Sequence, residues 1–285
     1  VKGMTLIFES SVAIGTTRKI SKTIEDLCGL KFGTDLGLAY CPERYNPTPM
    51  KKQTPDVDYT ISAKGESFTV DRISRVVGGI DEKSTKITKT IYSQFIITDV
   101  TELSSIEAAE ATKLLENIFR DVNIALVNEL SLMFEKLGID TLKVLDAAKR
   151  KYNFQIHYPG AGVGGPCLPI NSYQFLNTAK RTGSELNIIK HGRAINEKMP
   201  DHVVNLTLDG FKKCNKSIKD STLLILGVSY KPDVKDIQLS PAEIIIKKLK
   251  ALGAKIRIYD PYYKDNQVFG INVEHNIQDV LSEVD

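Results

Sequence analysis

The sequence predicts an α/β protein of more than one domain, on three observations. Strand-like and helix-like segments alternate over residues 1–100, one long amphipathic run follows, and a second alternation starts near residue 221. Strands that alternate with helical stretches mark βαβ units and parallel pairing, and 285 residues leave room for two domains. The chain starts without Met, almost directly in a strand-like run, and stops in what reads as the first turns of a helix. Both ends are expected to be cut.

Residues 4–8 read as a buried-type strand, 17–27 as an amphipathic helix with Gly29 just past its end, and 36–40 as a second strand. That strand runs into Cys41-Pro-Glu-Arg-Tyr-Asn-Pro47. Residues 49–65 are polar and turn-rich, as a surface excursion would be. Residues 75–79 form a strand with a glycine stop, 82–92 a helix and 94–98 a further strand of a parallel sheet. Ser104 is expected to cap the long helix, with Glu107 reaching back as the other half of a capping box. Apolar residues then recur at helical spacing from Ile106 to Leu137, until Gly138 ends the run. A helix of about 33 residues is roughly 50 Å long, which suits a central spine or a dimer interface. Its other face carries Lys113, Asn117, Arg120, Asp121 and Asn128, three or four residues apart. Lys113 taken alone reads first as a surface lysine paired with Glu110 or Glu116.

Shorter helices are expected over 141–149 and 172–182, and a linker helix over about 187–211. Residues 221–227 then form a strand, Ser240 and Pro241 the N-cap and first position of a helix that Gly253 ends, and 255–259 the next strand. This is one βαβ half of a nucleotide-binding type of fold. Its connecting loop, residues 228–236, is too long and glycine-poor to clamp a dinucleotide and offers Lys231 to an anion instead.

With 42% hydrophobic and 26% charged residues the composition is that of an ordinary globular protein. The net charge of +3 and the lack of a long basic run argue against nucleic acid, and no apolar stretch is long enough for a membrane span. Cys28, Cys41, Cys167 and Cys214 lie far apart with no C-x-x-C, which argues against zinc and disulfides and for a reducing, cytoplasmic setting. The four histidines have no metal-ligand spacing, so no metal site is expected.

Residues 160–175, GAGVGGPCLPINSYQF, are the densest chemical signal. Gly162, Gly164 and Gly165 let the backbone approach a ligand closely, and Pro166 and Pro169 stiffen both sides of Cys167. A thiol on a stiff loop where a helix begins is a candidate nucleophile; a buried structural cysteine is the competing reading. Gly160, Gly162 and Gly165 also satisfy G-x-G-x-x-G, but the prolines that follow exclude a phosphate-binding helix starting at the last glycine.

Several segments together resemble one family, the nucleotide-sugar 6-dehydrogenases of the UDP-glucose/GDP-mannose type. Glu9-Ser-Ser-Val12 with Gly15-Thr-Thr17, Pro42-Glu-Arg-Tyr-Asn-Pro47 and the helix of residues 109–129 are similar to the family's motifs. So are the segments 162–170, 192–200 and 227–233, in the family's order. The P-E-R-x-N-P form and the N-I-A-L-V-N-E helix look most like the branch acting on UDP-N-acetylhexosamines, UDP-N-acetylmannosamine above all. The resemblance implies the C-terminal part of an NAD-binding Rossmann-type domain at 1–100 and a central helical dimerisation and catalytic domain at 101–186. It further implies a linker helix at 187–216 and an incomplete Rossmann-type UDP-binding domain at 217–285.

The resemblance also implies roles. Cys167 would capture an aldehyde as a thiohemiacetal and carry the thioester, with two NAD consumed per sugar. Lys113 and Asn117 would hold the C6 oxygen. Glu43 would assist hydrolysis, Ser11 would position water, and Asn171 would stand beside them. Arg44, Arg120, Tyr158, Gly162, Gly164, Gly165, Arg193 and Lys231 would meet the UDP-sugar, while Glu9, Ser10 and Ser11 would meet NAD. The long helix would form a homodimer. Departures are Ser11 for the family's Thr, Asn171 for Asp, Pro166 for His and Gln238 for Arg. The amino-terminal glycine-rich turn and ribose-binding acid are missing, so the chain as it stands is expected to hold NAD hardly at all. Oxidation of UDP-glucose or GDP-mannose, a non-catalytic UDP-sugar-binding or dimerisation remnant, and a thiol hydrolase built on Cys167 are the alternatives.

Overall fold

The computed structural model describes residues 1–45, 69–264 and 266–285. Asn46, Pro47 and the expected surface excursion at 49–65 lie outside the described residues. The chain forms two compact units, Val1–Ile118 with Asn171–Glu185, and Phe119–Ile170 with Leu186–Asp285.

The first unit is built on a four-stranded sheet of β1 (Thr5–Phe8), β2 (Gly37–Tyr40), β3 (Arg75–Gly79) and β4 (Val100–Glu102), in that order. α1 (Thr16–Cys28) joins β1 to β2, and α2 (Glu82–Tyr92) joins β3 to β4. β1–β2 and β3–β4 pair in parallel, as two crossover helices demand, but β2 and β3 run antiparallel, Ala39 facing Gly79 and Tyr40 facing Gly78. The sheet is therefore mixed rather than parallel. The expected strand at 94–98 is also displaced: the chain turns after α2, buries Ile96, and enters the sheet only at Val100, after the Asp99 carbonyl has accepted the Arg75 amide at 2.9 Å. Leu38, Tyr40, Ile106 and Ala109 centre one core cluster, and Cys41, Val77, Tyr92, Ile96 and Val100 a second.

α3 runs from Ile106 to Lys136. Its cap is Ser105, whose Oγ accepts the Ala108 amide at 3.1 Å, not Ser104; Glu107 instead pairs with Arg18. The shift by one residue follows from packing. A Cβ at Gly78 would lie 2.0 Å from the Ser105 carbonyl oxygen, so β3 fixes where the helix enters.

The second unit contains the remainder of α3, α4 (Thr141–Ala148) and α6 (Asn187–Lys213). It then forms β5 (Thr222–Leu226), α7 (Pro241–Ala251) and β6 (Lys255–Tyr259), with β5 and β6 parallel. Ser240 Oγ accepts the Ala242 amide and Pro241 occupies the first helical position, as the sequence expects. Ile246, Leu249, Val228 and Ile258 make the core of this βαβ unit. A hairpin of β7 (Gln267–Val268) and β8 (Ile271–Asn272), turning at Phe269 and Gly270, follows where the sequence reading placed no element. Residues 283–285, expected to be the first turns of a helix, carry no helix; a single 3-10 turn, Ile277–Asp279, precedes them.

Candidate functional site: a glycine loop, an exposed cysteine and a cavity

α5 (Leu168–Thr182) starts directly after Cys167, four residues earlier than the sequence suggests. Pro169 falls in its first turn, where no backbone N–H is required, so proline does not delay it. Residues 152–164 contain no strand, so the G-x-G-x-x-G match lacks the βαβ setting that a dinucleotide loop needs. Cys167 is exposed, which leaves the nucleophile reading standing and removes the buried structural one.

The glycine loop is held from two sides within the second unit. At its start, the Gly160 amide donates to Asn128 Oδ1 at 2.9 Å, and Asn128 Nδ2 donates to Asn196 Oδ1 at 2.9 Å. Asn196 in turn donates to Asp121 Oδ1 at 2.8 Å, and Asp121 pairs with Arg193 at 2.9 Å. Asp121, Asn128, Arg193 and Asn196 are all buried. Much of the polar face of α3 is thus a structural network that fastens α6 and the loop. At its end, the Gly165 amide donates to the Gln238 carbonyl at 2.9 Å. Gly165 has φ +83°, and a Cβ there would lie 2.6 Å from the Tyr230 ring.

Arg120, Tyr158, Gly162, Gly164 and Lys231, five of the residues expected to meet substrate, line one cavity of about 820 Å³. Leu224 and Ile225 give it an apolar wall, and Ser240 and Pro241 bring the N-terminal end of α7 to it. A partly apolar cleft of this size with a few cationic groups has the dimensions of a small-ligand site, and a helix N-terminus favours negative charge. Burial, with Arg120 nearby, lowers the pKa of Lys231, and the proximity of Cys167 opposes that shift. Cys167 also acts on Tyr230, whose pKa is raised, mainly by burial. Arg193, by contrast, is committed to the buried network, with Asp121 and Glu197 as its partners.

The remaining candidates lie in the first unit. Asn117 Nδ2 donates to Asn171 Oδ1, so these two are in direct contact. Glu110 is fully buried and accepts the Gly15 amide at 2.6 Å and the Thr17 amide at 2.9 Å. Glu116 pairs with Arg44 at 2.6 Å. Arg44 also donates to the Ser74 carbonyl at 2.7 Å. Glu9, Ser10 and Ser11 are exposed immediately after β1. Glu9 accepts the Tyr92 hydroxyl, and the Ser10 carbonyl accepts the Tyr40 hydroxyl at 3.1 Å. Glu43 is fixed through both oxygens, by the Tyr45 amide at 2.6 Å and Arg75 at 3.0 Å. Burial alone would raise its pKa; these donors outweigh burial and hold it below the usual carboxylate value.

Sequence reasoning missed Tyr230, Asn196 and Arg75. Asn196 sits in the G-R-A-I-N segment and Tyr230 beside Lys231, so both were within quoted motifs, but their roles depend on contacts made far along the chain. Among the described residues no group of His, Cys, Asp or Glu could hold a metal, and no helix is long and apolar enough to cross a membrane.

Comparison with known proteins places this geometry. The central-domain profile of the UDP-glucose/GDP-mannose dehydrogenase family matches residues 107–198, and the family's UDP binding domain profile matches residues 224–285. UDP-N-acetyl-D-mannosamine dehydrogenase of Pyrococcus horikoshii is 33% identical over 92% of this chain and 58% of its own length. UDP-N-acetyl-D-glucosamine 6-dehydrogenase of Pseudomonas aeruginosa is 31% identical, also over 92% and 58%. The solved structure of the Pyrococcus horikoshii enzyme superposes with a TM-score of 0.86, at 31% identity, covering 100% of this chain and 62% of that one. An NDP-N-acetyl-D-galactosaminuronic acid dehydrogenase from Methanosarcina mazei gives 0.82 at 31% identity, over 98% and 57%. This chain therefore spans under two thirds of the length of these relatives. With a glycine loop ending in an exposed cysteine, a cavity beside a parallel βαβ unit and two profiles that together match more than half of its residues, the chain belongs to the UDP-glucose/GDP-mannose dehydrogenase family.

Proposed function

We propose that this chain supplies the substrate pocket and the nucleophile of an NAD-dependent UDP-N-acetylhexosamine 6-dehydrogenase, with UDP-N-acetylmannosamine the favoured substrate. The observation that carries the reading is the 820 Å³ cavity, which the glycine loop leading to Cys167, Arg120, Lys231 and the start of α7 all line or adjoin. Arg120, Lys231 and the helix end supply positive potential for a diphosphate, and the apolar wall from β5 suits the flat face of a base. The dimerisation reading is kept with it: Phe119, Leu126, Met133 and Leu137 of α3 and the turn after it are exposed at spacings of a helical stripe, and a second copy would cover them.

NAD would meet Glu9, Ser10 and Ser11, exposed just past the carboxyl end of β1, where open α/β sheets take ligands. Two NAD molecules, bound there in turn, would supply the hydride acceptors for the two oxidations, one each. The N-terminus of α1 does not serve it, because the buried Glu110 carboxylate already takes the Gly15 and Thr17 amides. Lys113 and Asn117 hold the C6 oxygen and stabilise its developing charge. The Cys167 thiolate adds to the C6 aldehyde carbon, forming a C–S bond. After the second oxidation that carbon is a thioester. Water, ordered by Glu43 and Ser11, attacks it, the C–S bond breaks, and the thiolate and the free acid separate. The division of the chain that the resemblance implies, three domains with a linker helix at 187–216, goes with this reading.

The test is NADH formed per sugar consumed, with UDP-N-acetylmannosamine, UDP-N-acetylglucosamine and UDP-glucose in parallel. Two NADH per sugar, abolished in Cys167→Ser, support the reading and name the substrate. One NADH per sugar, or activity that survives in Cys167→Ser, refutes the covalent route.

A further inference from the structure

Resting on the role given to Glu43 above, we infer that Arg75 is a positioning residue for hydrolysis, acting through the Glu43 carboxylate that it fixes. Arg75 is 2% exposed, one of the most buried large side chains in the protein. Its NH1 donates to the Pro42 carbonyl and its NH2 to Glu43 Oε2, both at 3.0 Å. One guanidinium therefore holds both the backbone and the side chain of the Pro42-Glu43 step. The fork geometry of arginine makes this possible; a lysine ammonium, a point charge, cannot reproduce it. Glu43 itself is half exposed, its side chain 48% open. The buried cation thus anchors an acid that still faces solvent.

The arrangement is a poor way to gain stability. A buried charge is costly to desolvate, and Arg75 Nε is buried with no hydrogen-bond partner among the described residues, which adds a further penalty. A strand residue kept only for packing would be apolar, as its neighbours Val76 and Val77 are. What the cation gains is control of one carboxylate. With Oε1 on the Tyr45 amide and Oε2 on Arg75, Glu43 has one orientation and stays ionised, so it can order a water molecule over a wide pH range. Neighbouring Cys41 and Tyr92 add no competing anion at neutral pH, since burial raises the pKa of both, that of Cys41 to about 11. Glu9 is the remaining acid that the Cys41 thiol senses from this side.

The experiment compares the protein with Arg75→Lys and Glu43→Gln, and reads kcat, KM and the pH dependence of acid release from UDP-N-acetylmannosamine and NAD. A ¹³C titration of the Glu43 carboxyl is recorded alongside, and thermal unfolding checks that each variant folds. The expected result for Arg75→Lys is a kcat lower by about 10- to 100-fold, as for a misplaced reacting group, with KM little changed. Its acid limb should move to higher pH, in step with the Glu43 titration. Glu43→Gln should lower kcat at least as far and leave no acid limb to move. Wild-type kcat and pH profile in a folded Arg75→Lys overturn the inference and leave the proposed function standing. Absence of turnover in the wild-type protein instead refutes the proposed function. The carboxyl titration then still decides the link between the residues, because an unchanged midpoint in Arg75→Lys overturns it without any turnover.

Discussion

Gly165 and Tyr230 are packed so closely that a single added methyl group on the glycine would lie 2.6 Å from the aromatic ring. Gly165 also sits at φ +83°, a conformation that costs a non-glycine residue about 1–2 kcal/mol. Two residues later the chain reaches Cys167. The ring is thus a stop against which the glycine loop rests. Gly165→Ala should destabilise the protein by roughly 2–4 kcal/mol, combining strain with overpacking, and Tyr230→Phe by much less. Thermal unfolding of the two variants checks this; equal melting temperatures would show that the loop does not rest on the ring.

Accessibility separates the cysteines. Cys28, Cys167 and Cys214 are exposed, whereas Cys41 is fully buried and its pKa is pushed up to about 11 by burial. Since the thiolate is the reacting species, iodoacetamide at pH 8 should label the first three in the folded protein and Cys41 only on unfolding. Peptide mass spectrometry reads the outcome directly, and labelling of Cys41 at the rate of the others would contradict the burial.

Lys231 gives the cavity a pH dependence. Burial and Arg120 lower its pKa from 10.5. Its charge is therefore fully present below the depressed pKa and lost as pH rises through it, earlier than for an ordinary lysine. Affinity for UDP should fall in that alkaline window. Lys231→Arg should move the loss to higher pH, since a guanidinium remains charged there. Calorimetric titration across the alkaline range reads both, and identical profiles would remove Lys231 from anion binding.

The buried pair of Arg193 and Asp121 should be costly to break. Both are at least 95% buried and Asp121 also accepts from Asn196. Asp121→Ala removes the buried one of the two carboxylates that pair with the Arg193 guanidinium, at a cost of about 3–5 kcal/mol. Denaturant unfolding measures it. A loss below about 1 kcal/mol would show that Glu197 alone satisfies the arginine.

The sequence showed local features well. The boundaries of β3, α2 and β6, and the Ser240 and Pro241 cap of α7, depend on residues within a few positions of one another, and all are as expected. Long-range pairing was less legible. Nothing local tells β2 and β3 to run antiparallel, and the cap of α3 moved from Ser104 to Ser105 because a strand glycine packs beneath it. The same limit applies to the site. The glycine loop and Cys167 stood out by residue type, and Lys231 by its place after a strand. That Asp121 and Asn128 hold up the loop, or that Arg75 fixes Glu43, depends on contacts 32 to 72 residues apart, where spacing carries no signal.

The central claim is that the cavity of the second unit takes the UDP moiety beside Cys167. The most direct measurement is the rate of Cys167 alkylation with and without saturating UDP or UDP-N-acetylmannosamine, resolved by mass spectrometry, with Cys28 and Cys214 as internal references. Both ligands should bind, and the nucleotide sugar should slow alkylation of Cys167 at least tenfold while the reference cysteines react as before. An unchanged Cys167 rate with ligand present, or equal slowing at all three cysteines, would contradict the account.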